Sequence, residues 1–281
     1  MAMNVDLELD LLRKHAPLKL AFSGGKDSVV CKWLCQQAAV PFESFYSSTT
    51  IDPPELVRFI KQYHADVKWR IPKMPMMTAV ATLGKSPPTR FARWCCERYK
   101  EAMPAPGTPI VIGVRAAESP RRARDWKTQV QPVKKGLLIL PILRWSDEEV
   151  WACIRDNSIP YCKLYDEGFK RLGCIGCPLQ SIANQRREFD RWPNFERNWK
   201  MAIMRNWEKW HAVPRIRDGM PRYQARYKSA EDFWQWWITR KRSPTTCGYE
   251  FPFPSEDPDE VPTLFDDEPQ VVGVGPDGLE R

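Results

Sequence analysis

A chain of 281 residues, 43% of them hydrophobic, has the length for a sizeable core and for one large domain with appendages. No apolar run approaches about 18 residues, and the charged start from Met1 to Lys14 lacks a signal-like apolar core, so neither membrane spanning nor secretion is indicated, a globular enzyme is allowed, and a cytoplasmic location with no membrane association is expected. The net charge of +8 hides an asymmetry: Phe253 to Arg281 holds nine acidic residues and one basic residue, which leaves +16 on the rest, a surface suited to anionic partners.

In chain order, Val5 to Lys14 fits a short amphipathic helix. Leu18-Lys19-Leu20-Ala21-Phe22 then runs into Ser23-Gly24-Gly25-Lys26-Asp27-Ser28 and on into Val29-Val30-Cys31-Lys32-Trp33-Leu34, a pattern of strand, glycine loop and helix. Gly24 and Gly25 allow a tight turn and close approach of a ligand. The hydroxyls of Ser23 and Ser28, the loop N–H groups and the helix N-terminus all offer positive ends to phosphate oxygens. Lys26 adds a point charge, and Asp27 can hold a metal ion or ligand group. The spacing is not G-x-x-x-x-G-K-S/T, which sets aside an ordinary NTPase.

A helix from Ser28 to Ala38 leads to a second apolar run, Phe42 to Tyr46, followed by a loop and a helix opened by Pro53 and Pro54 that runs to about Tyr63. Val67 to Ile71 and the β-branched run Pro109 to Val114 read as the third and fourth strands. This alternation predicts an α/β fold, a parallel twisted sheet with helices on both faces. The loops at Ser23, Thr49 and Arg115 then meet beyond the carboxyl ends of the strands, where such sheets bind ligands. Gly136 to Leu143 is a further apolar segment, and Ser146-Asp147-Glu148-Glu149 is a capping box before the helix Val150 to Asp156.

Past this point the composition changes. Ser181 to Arg242 contains seven tryptophans, fifteen Lys or Arg and seven acidic residues in helix-compatible sequence, and Pro252 onward contains six prolines and the acidic bias. The expected organisation is therefore a nucleotide-binding domain over 1–180, a basic Trp-rich helical appendage over 181–251, and a disordered acidic tail over 252–281.

The cysteines divide by spacing. Cys31, Cys35, Cys153 and Cys162 stand at apolar positions and read as small core residues. Cys95-Cys96 and Cys174-Ile175-Gly176-Cys177 instead offer four thiolates to one metal centre. Adjacent helical side chains point about 100° apart, so Cys95 and Cys96 fit a distorted turn or a larger cluster, which favours iron–sulfur over zinc.

The loop Ser23 to Ser28 resembles the S-G-G-x-D-S pyrophosphate loop of the adenine nucleotide alpha hydrolases, which cleave ATP between the α and β phosphates. The double cysteine with Lys100 four residues after Cys96, and the distant C-x-x-C-P, resemble the cluster-binding pattern of assimilatory adenylylsulfate reductases. Gly113-Val114-Arg115-Ala116-Ala117-Glu118-Ser119-Pro120-Arg121-Arg122 resembles the G-x-R-x-x-E/Q-S-x-x-R segment of the phosphoadenosine phosphosulfate (PAPS) reductase family, and Trp145 to Pro160 resembles its W-S/T-x-x-E/D-V-W-x-x-I helix.

The resemblance spans Leu18 to Leu179. It implies a 4Fe-4S cluster on Cys95, Cys96, Cys174 and Cys177. It implies an adenine nucleotide, ATP or PAPS, on Ser23, Gly24, Gly25, Lys26, Asp27, Ser28, Gly113, Arg115, Glu118, Ser119 and Arg122, with Mg²⁺ if ATP is cleaved. Lys26, Asp27, Lys100 and Cys247 are the catalytic candidates.

Two departures bear on the reaction. The reductases of the family have a degenerate phosphate loop, whereas this one is intact. Their C-terminal E-C-G-I/L-H nucleophile segment has as its only counterpart here Thr246-Cys247-Gly248-Tyr249. The expected function is ATP activation coupled to sulfur transfer, served by a sulfur or electron donor protein, with DNA or tRNA as a candidate acceptor. Sulfite release by a sulfonucleotide reductase is the alternative. A third reading, a nucleic-acid-binding module, rests on Arg186, Arg187, Arg191, Arg197, Lys200 and Arg205 interleaved with Trp192, Trp199 and Trp207. It competes with a helical cap whose tryptophans are core. Sequence leaves the oligomeric state open, a homo-oligomer included.

Overall fold

The computed structural model describes residues 4–100, 107–133, 136–210, 216–217, 220–221, 227 and 229–240. Cys247 and the acidic stretch from Pro252 lie outside them.

The elements in chain order are α1 (Asp6–His15), β1 (Leu18–Ala21), α2 (Lys26–Gln37), β2 (Phe42–Ser47), α3 (Pro54–Tyr63), β3 (Lys68–Arg70), α4 (Met76–Thr82), α5 (Trp94–Tyr99), β4 (Ile110–Val111), α6 (Pro120–Asp125), β5 (Val130–Val133), β6 (Gly136–Ile139), α7 (Asp147–Asp156), α8 (Ile182–Arg191), α9 (Pro193–Trp210), β7 (Ile216–Arg217), β8 (Met220–Pro221) and α10 (Ala230–Thr239). Single 3-10 turns follow Arg115 and Cys162.

Six strands form one sheet in the order β3-β2-β1-β4-β6-β5. The β1, β2, β3, β4 and β6 pairings are parallel, with Leu20 beside Ser44 on one side and Val111 on the other. The α/β class expected from the alternating pattern is the one observed. The edge strand β5 is antiparallel to β6. It escapes a reading by apolar runs because it contains Pro132, which an edge strand tolerates and a central strand does not. The chain steps outward from β1 to β2 and β3, then returns to β4 on the other side of β1. The reversal opens a crevice at the carboxyl ends of β1 and β4.

Leu20, Val30, Leu34, Ile60, Val111 and Ile139 are fully buried between sheet and helices, each contributing about 2 kcal/mol by leaving water. Cys31, Cys35, Cys153 and Cys162 are buried with them, in keeping with their apolar settings. Ser146 caps α7 as its sequence implies: its Oγ accepts from Glu149 N–H at 3.1 Å and Glu149 Oε2 accepts from Ser146 N–H at 2.6 Å.

Helices α8, α9 and α10 pack on the α/β unit, α9 against α4 and α10. Trp192, Trp199, Trp234 and Trp237 are buried in the same continuous core as the sheet. No described helix is long and apolar enough to cross a membrane.

Candidate functional site

The loop after β1 is shaped by its own side chains. Gly24 has φ +72, and a Cβ there would lie 2.7 Å from Leu56 Cδ1 and 2.8 Å from Ile60 Cδ1, so both backbone and packing require glycine. Ser28 Oγ donates to Gly25 O at 2.8 Å and accepts from Ser23 N–H at 3.2 Å, while the two serine hydroxyls lie 3.2 Å apart. The hydroxyls expected to face phosphate therefore also hold the loop closed. Lys26 N–H donates to the Tyr165 hydroxyl at 2.9 Å.

The side chains of Lys26, Asp27, Arg115 and Asp147 form one charged network across the crevice. Lys26 Nζ lies 3.1 Å from Asp27 Oδ2 and 3.0 Å from Asp147 Oδ1. Arg115, only 3% exposed, donates from Nε to Asp27 Oδ1 at 2.5 Å and from NH2 to Asp147 Oδ1 at 2.8 Å. Burial weakens the Arg115 guanidinium's hold on its proton, but the facing carboxylates of Asp27 and Asp147 more than offset this and raise its pKa. Gly113 lets the end of β4 pass under this network, since a Cβ there would lie 3.0 Å from the Asp27 carbonyl carbon.

Glu118 and Ser119 have local roles. Glu118 Oε1 accepts from Arg115 N–H at 3.1 Å and pairs with Arg122, and Ser119 Oγ accepts from Arg122 N–H at 3.2 Å, capping α6. Arg122 is partly desolvated and senses the charges of Glu118, Arg171, Asp27 and Arg115, which places it at the same crevice.

One strand over, the cysteine pairs meet the loop after β2. Ile175 N–H donates to Ile51 O at 2.8 Å and the Cys174 thiol donates to Thr49 Oγ1 at 3.4 Å. Asp52 braces that loop by accepting from Thr49 N–H and Thr49 Oγ1, both at 2.8 Å. Helix α5 brings Cys95 and Cys96 to the same place: Cys95 interacts electrostatically with Cys96, Cys174 and Cys177, and Cys177 with Cys174 and Cys96. All four are free thiols.

Hydrogen bonding from Cys95 and Arg93, and the charges of Lys100 and Arg93, lower the Cys96 pKa against the pull of burial. Burial pushes Cys177 up to about 11 and Cys174 upward. Lys100 is exposed as a residue, yet its ammonium hydrogen-bonds Cys174, and the Cys174 charge is what chiefly raises its pKa. Among the described residues no three His, Cys, Asp or Glu side chains are drawn together as a closed ion-binding group. The donor set itself, two thiols from the short helix α5 and two from the 174–177 loop beside a lysine, has the chemistry a four-thiolate cluster needs.

The CxxC loop is also held from the helical cap. Gly176 has φ +73, and a Cβ there would lie 2.5 Å from Phe189 and 2.8 Å from Trp199 Nε1. Glu188 Oε2 accepts from Gly176 N–H at 2.7 Å and from Gln180 Nε2 at 2.8 Å, while Gln185 Nε2 donates to Gly176 O at 2.7 Å. Trp199 Nε1 donates to Ile175 O at 2.9 Å. Trp192 and Trp199 are thus core residues and are closed to base stacking. Several arginines of the same stretch are engaged: Arg191 with Glu55 and Glu167, Arg186 with Glu196, and Arg187 with the carbonyls of Glu167 and Gly168.

Sequence reasoning missed Asp147, Tyr165, Asp52, Gln185 and Glu188 as site residues. Asp147 carried a signal, an acidic residue in a capping box next to the family-like tryptophan. Nothing local marked Tyr165, Gln185 or Glu188.

Residues 17–180 match the family model described as the phosphoadenosine phosphosulfate reductase domain. An uncharacterized protein of Methanocaldococcus jannaschii is 26% identical over 219 residues, 72% of this chain and 53% of that protein. The chain spans about half the length of the Methanocaldococcus relatives it matches. An adenosine 5'-phosphosulfate reductase of Allochromatium vinosum is 28% identical over 211 residues, 68% of this chain and 79% of that protein. Among solved structures, the phosphoadenylyl-sulfate reductase of Candida auris in a phosphate complex overlays with a TM-score of 0.46 at 16% identity, covering 62% of this chain and 97% of that one. With the family model matching more than half its length, on the segment that carries the glycine loop, the arginine segment and all four paired cysteines, the chain belongs to the phosphoadenosine phosphosulfate reductase domain family.

Proposed function

We propose that this chain is an iron–sulfur enzyme that binds an adenine nucleotide on the 23–28 loop, cleaves ATP between its α and β phosphates, and couples that activation to sulfur transfer. The observation that carries the reading is the adjacency of two sites on neighbouring strands. The intact loop, with Asp27 paired to both Lys26 and Arg115, stands beside four converging thiols, of which the 174–177 pair is pinned to the next loop at Ile51 and Thr49.

In this reading the loop N–H groups and the α2 N-terminus receive the nucleotide phosphates, with Lys26, Arg115 and Arg122 as the cations around them. Asp27 would hold Mg²⁺, its ion pairs with Lys26 and Arg115 opening to the ligand. An acceptor oxygen attacks the α-phosphorus, the bond to the bridging oxygen breaks, and pyrophosphate leaves with the electron pair. The acceptor remains as an adenylate ester, from which a sulfur nucleophile delivered by a donor protein displaces AMP. Cys95, Cys96, Cys174 and Cys177 would hold a 4Fe-4S cluster, whose chemistry is to bind or polarise sulfur next to the adenylate. Lys100 keeps a positive charge against the Cys174 thiol, and Thr49 and Asp52 fix the loop that orients it.

A second reading, a sulfonucleotide reductase, is favoured by the placement of Lys100 on Cys174 and by the coverage of the Allochromatium vinosum relative. There a cysteine thiolate would attack the sulfonate sulfur and expel the adenosine phosphate, and an external dithiol would release sulfite. Anaerobically purified protein incubated with ATP plus a sulfur donor, or with PAPS or adenylyl sulfate plus a dithiol, separates the two. AMP with pyrophosphate is expected from ATP, and sulfite as the only product would overturn the leading reading.

A further inference from the structure

We infer that a second site, on the rim of the cysteine centre, takes a single-stranded nucleic acid: the Arg90 and Arg240 guanidiniums receive a phosphodiester and Phe91 stacks on an unpaired base. The inference rests on the sulfur-transfer reading only for the role of the neighbouring thiols.

The two guanidiniums converge from distant parts of the chain on a single neutral acceptor. Arg90 NH2 donates to Gln180 O at 3.0 Å and Arg240 NH1 donates to the same oxygen at 2.7 Å. Arg240 NH2 also reaches Gln185 Oε1 at 3.3 Å, and its Nε is buried without a partner. No carboxylate pairs with either arginine among the described residues, so two like charges repel each other across one carbonyl. Such a pair lacks an anion with several oxygens, and a phosphate matches the planar forks. The place is next to the thiols: Arg240 senses the charge of Cys177, and Gln180 N–H donates to Cys177 O at 3.2 Å.

Phe91 adds a base-sized platform. It is 91% exposed and is turned outward by a built turn. Thr89 Oγ1 accepts from Phe91 N–H at 3.3 Å and Ala92 N–H at 3.0 Å, and Thr89 N–H donates to Ala92 O at 3.1 Å. The approach to this turn is pinned on two sides, by Trp237 Nε1 to Pro88 O at 2.8 Å and Trp94 Nε1 to Ser86 O at 3.0 Å. An aromatic ring on an anchored turn, beside two guanidiniums with no carboxylate partner among the described residues, pairs stacking with phosphate contact as single-strand binding does. Of the cap tryptophans that suggested base stacking from sequence, Trp192 and Trp199 are buried and Trp207 is partly buried. Among the described residues Phe91 is the most exposed aromatic side chain, and it lies four positions before Cys95.

The test is fluorescence anisotropy with the full chain and labelled oligonucleotides of about 12 nucleotides, as single-stranded RNA, single-stranded DNA and duplex, over a range of salt. Phe91→Ala should weaken single-strand binding about tenfold and leave duplex binding nearly unchanged. Arg90→Ala should weaken it about tenfold and reduce the salt slope by roughly 1. ATP affinity should stay at the wild-type value in both, because neither residue touches the 23–28 loop. Tighter binding of one single strand than the other assigns the sugar. Equal losses on duplex and single strand would reduce the site to general surface charge. Full displacement of the oligonucleotide by inorganic phosphate, with no effect of Phe91→Ala, would make it a free-anion site. Either result, or wild-type binding by both variants, overturns the inference. Failure to cleave ATP with Phe91-dependent binding intact would instead retire the sulfur-transfer reading and leave this site standing.

Discussion

Asp27 and Arg115, 88 residues apart, are joined by an Arg115 Nε to Asp27 Oδ1 hydrogen bond of 2.5 Å. It ties the first turn of α2 to the chain leaving β4, across the point where the strand order reverses. Because Arg115 keeps Asp147 as a second partner, Asp27→Asn should cost only about 1–2 kcal/mol of stability. Its effect on nucleotide cleavage should be far larger, roughly 10²–10³ in kcat/KM, since a group that holds phosphate or metal charge acts in the transition state. Urea unfolding and pyrophosphate release from the same preparations check this, and a variant that loses stability without losing turnover would reduce Asp27 to a structural role.

The two loop glycines should separate on substitution. Gly24→Ala meets a positive φ and the Leu56 and Ile60 side chains, which should destabilise the fold by about 1–3 kcal/mol. A Cβ at Gly25 makes only ordinary contacts, 3.4 Å from Ser23 Oγ and Tyr165 OH, so Gly25→Val should fold. If the loop receives phosphate as proposed, the added bulk beside Ser23 Oγ should lower nucleotide affinity at least tenfold. Equilibrium dialysis with ATP beside a thermal melt distinguishes the outcomes. Unchanged affinity in folded Gly25→Val would remove the loop from nucleotide binding.

The strand, loop and helix from Leu18 to Leu34 were legible because each signal is local: an apolar run, two glycines, a helix start. The capping box at Ser146 and the buried single cysteines were legible for the same reason. What closes the site was not. Tyr165 reaches Lys26 N–H across 139 positions, and Glu188 reaches Gly176 from a helix whose composition reads as a basic surface. Such contacts are set by tertiary packing, and no periodicity encodes them. Residue 180 marks a change in composition, and buried core lies on both sides of it: Trp192, Trp199, Trp234 and Trp237 belong to the same buried cluster as Leu20 and Val111, and Trp199 Nε1 donates to Ile175 O.

His64 supplies a pH dependence away from the site. Its ring packs edge-on to Phe22 at 4.7 Å and Phe59 at 5.1 Å, and Nδ1 lies 3.3 Å from Lys32 Nζ, which also pairs with Asp66 at 2.5 Å. Burial and the Lys32 charge lower its pKa to about 4, with Asp66 opposing. Between that value and an unfolded value of about 6.5, the unfolded chain binds a proton that the folded chain refuses. The stabilisation is therefore whole above the unfolded value and is lost as pH falls towards 4, up to about 3 kcal/mol. His64→Gln keeps an acceptor for Lys32 without the titration. Urea midpoints should fall less steeply for His64→Gln than for wild type over this window, and parallel slopes would refute the assignment.

The final prediction concerns Glu188 and Gln185, which hold Gly176 by its N–H and its carbonyl. Burial raises the Glu188 pKa, partly countered by the hydrogen bonds from Gln180 and Gly176, so its carboxyl is committed to this loop. If the cysteine pairs hold a cluster, these two residues set the angle at which Cys174 and Cys177 present their sulfurs, as outer residues do in other metal centres. Glu188→Ala leaves the Gly176 N–H buried and unpaired and should cost about 1–3 kcal/mol. It should also lower iron and labile sulfide per chain after anaerobic purification, whereas Glu188→Gln, which retains an acceptor, should recover most of both. Each variant should bind ATP as wild type does, because the 23–28 loop is held by Ser28 and Tyr165 instead. Iron content unchanged in a folded Glu188→Ala variant would show that the loop is rigid without its clamp. Stoichiometric zinc with no iron in the wild-type protein would overturn the cluster itself.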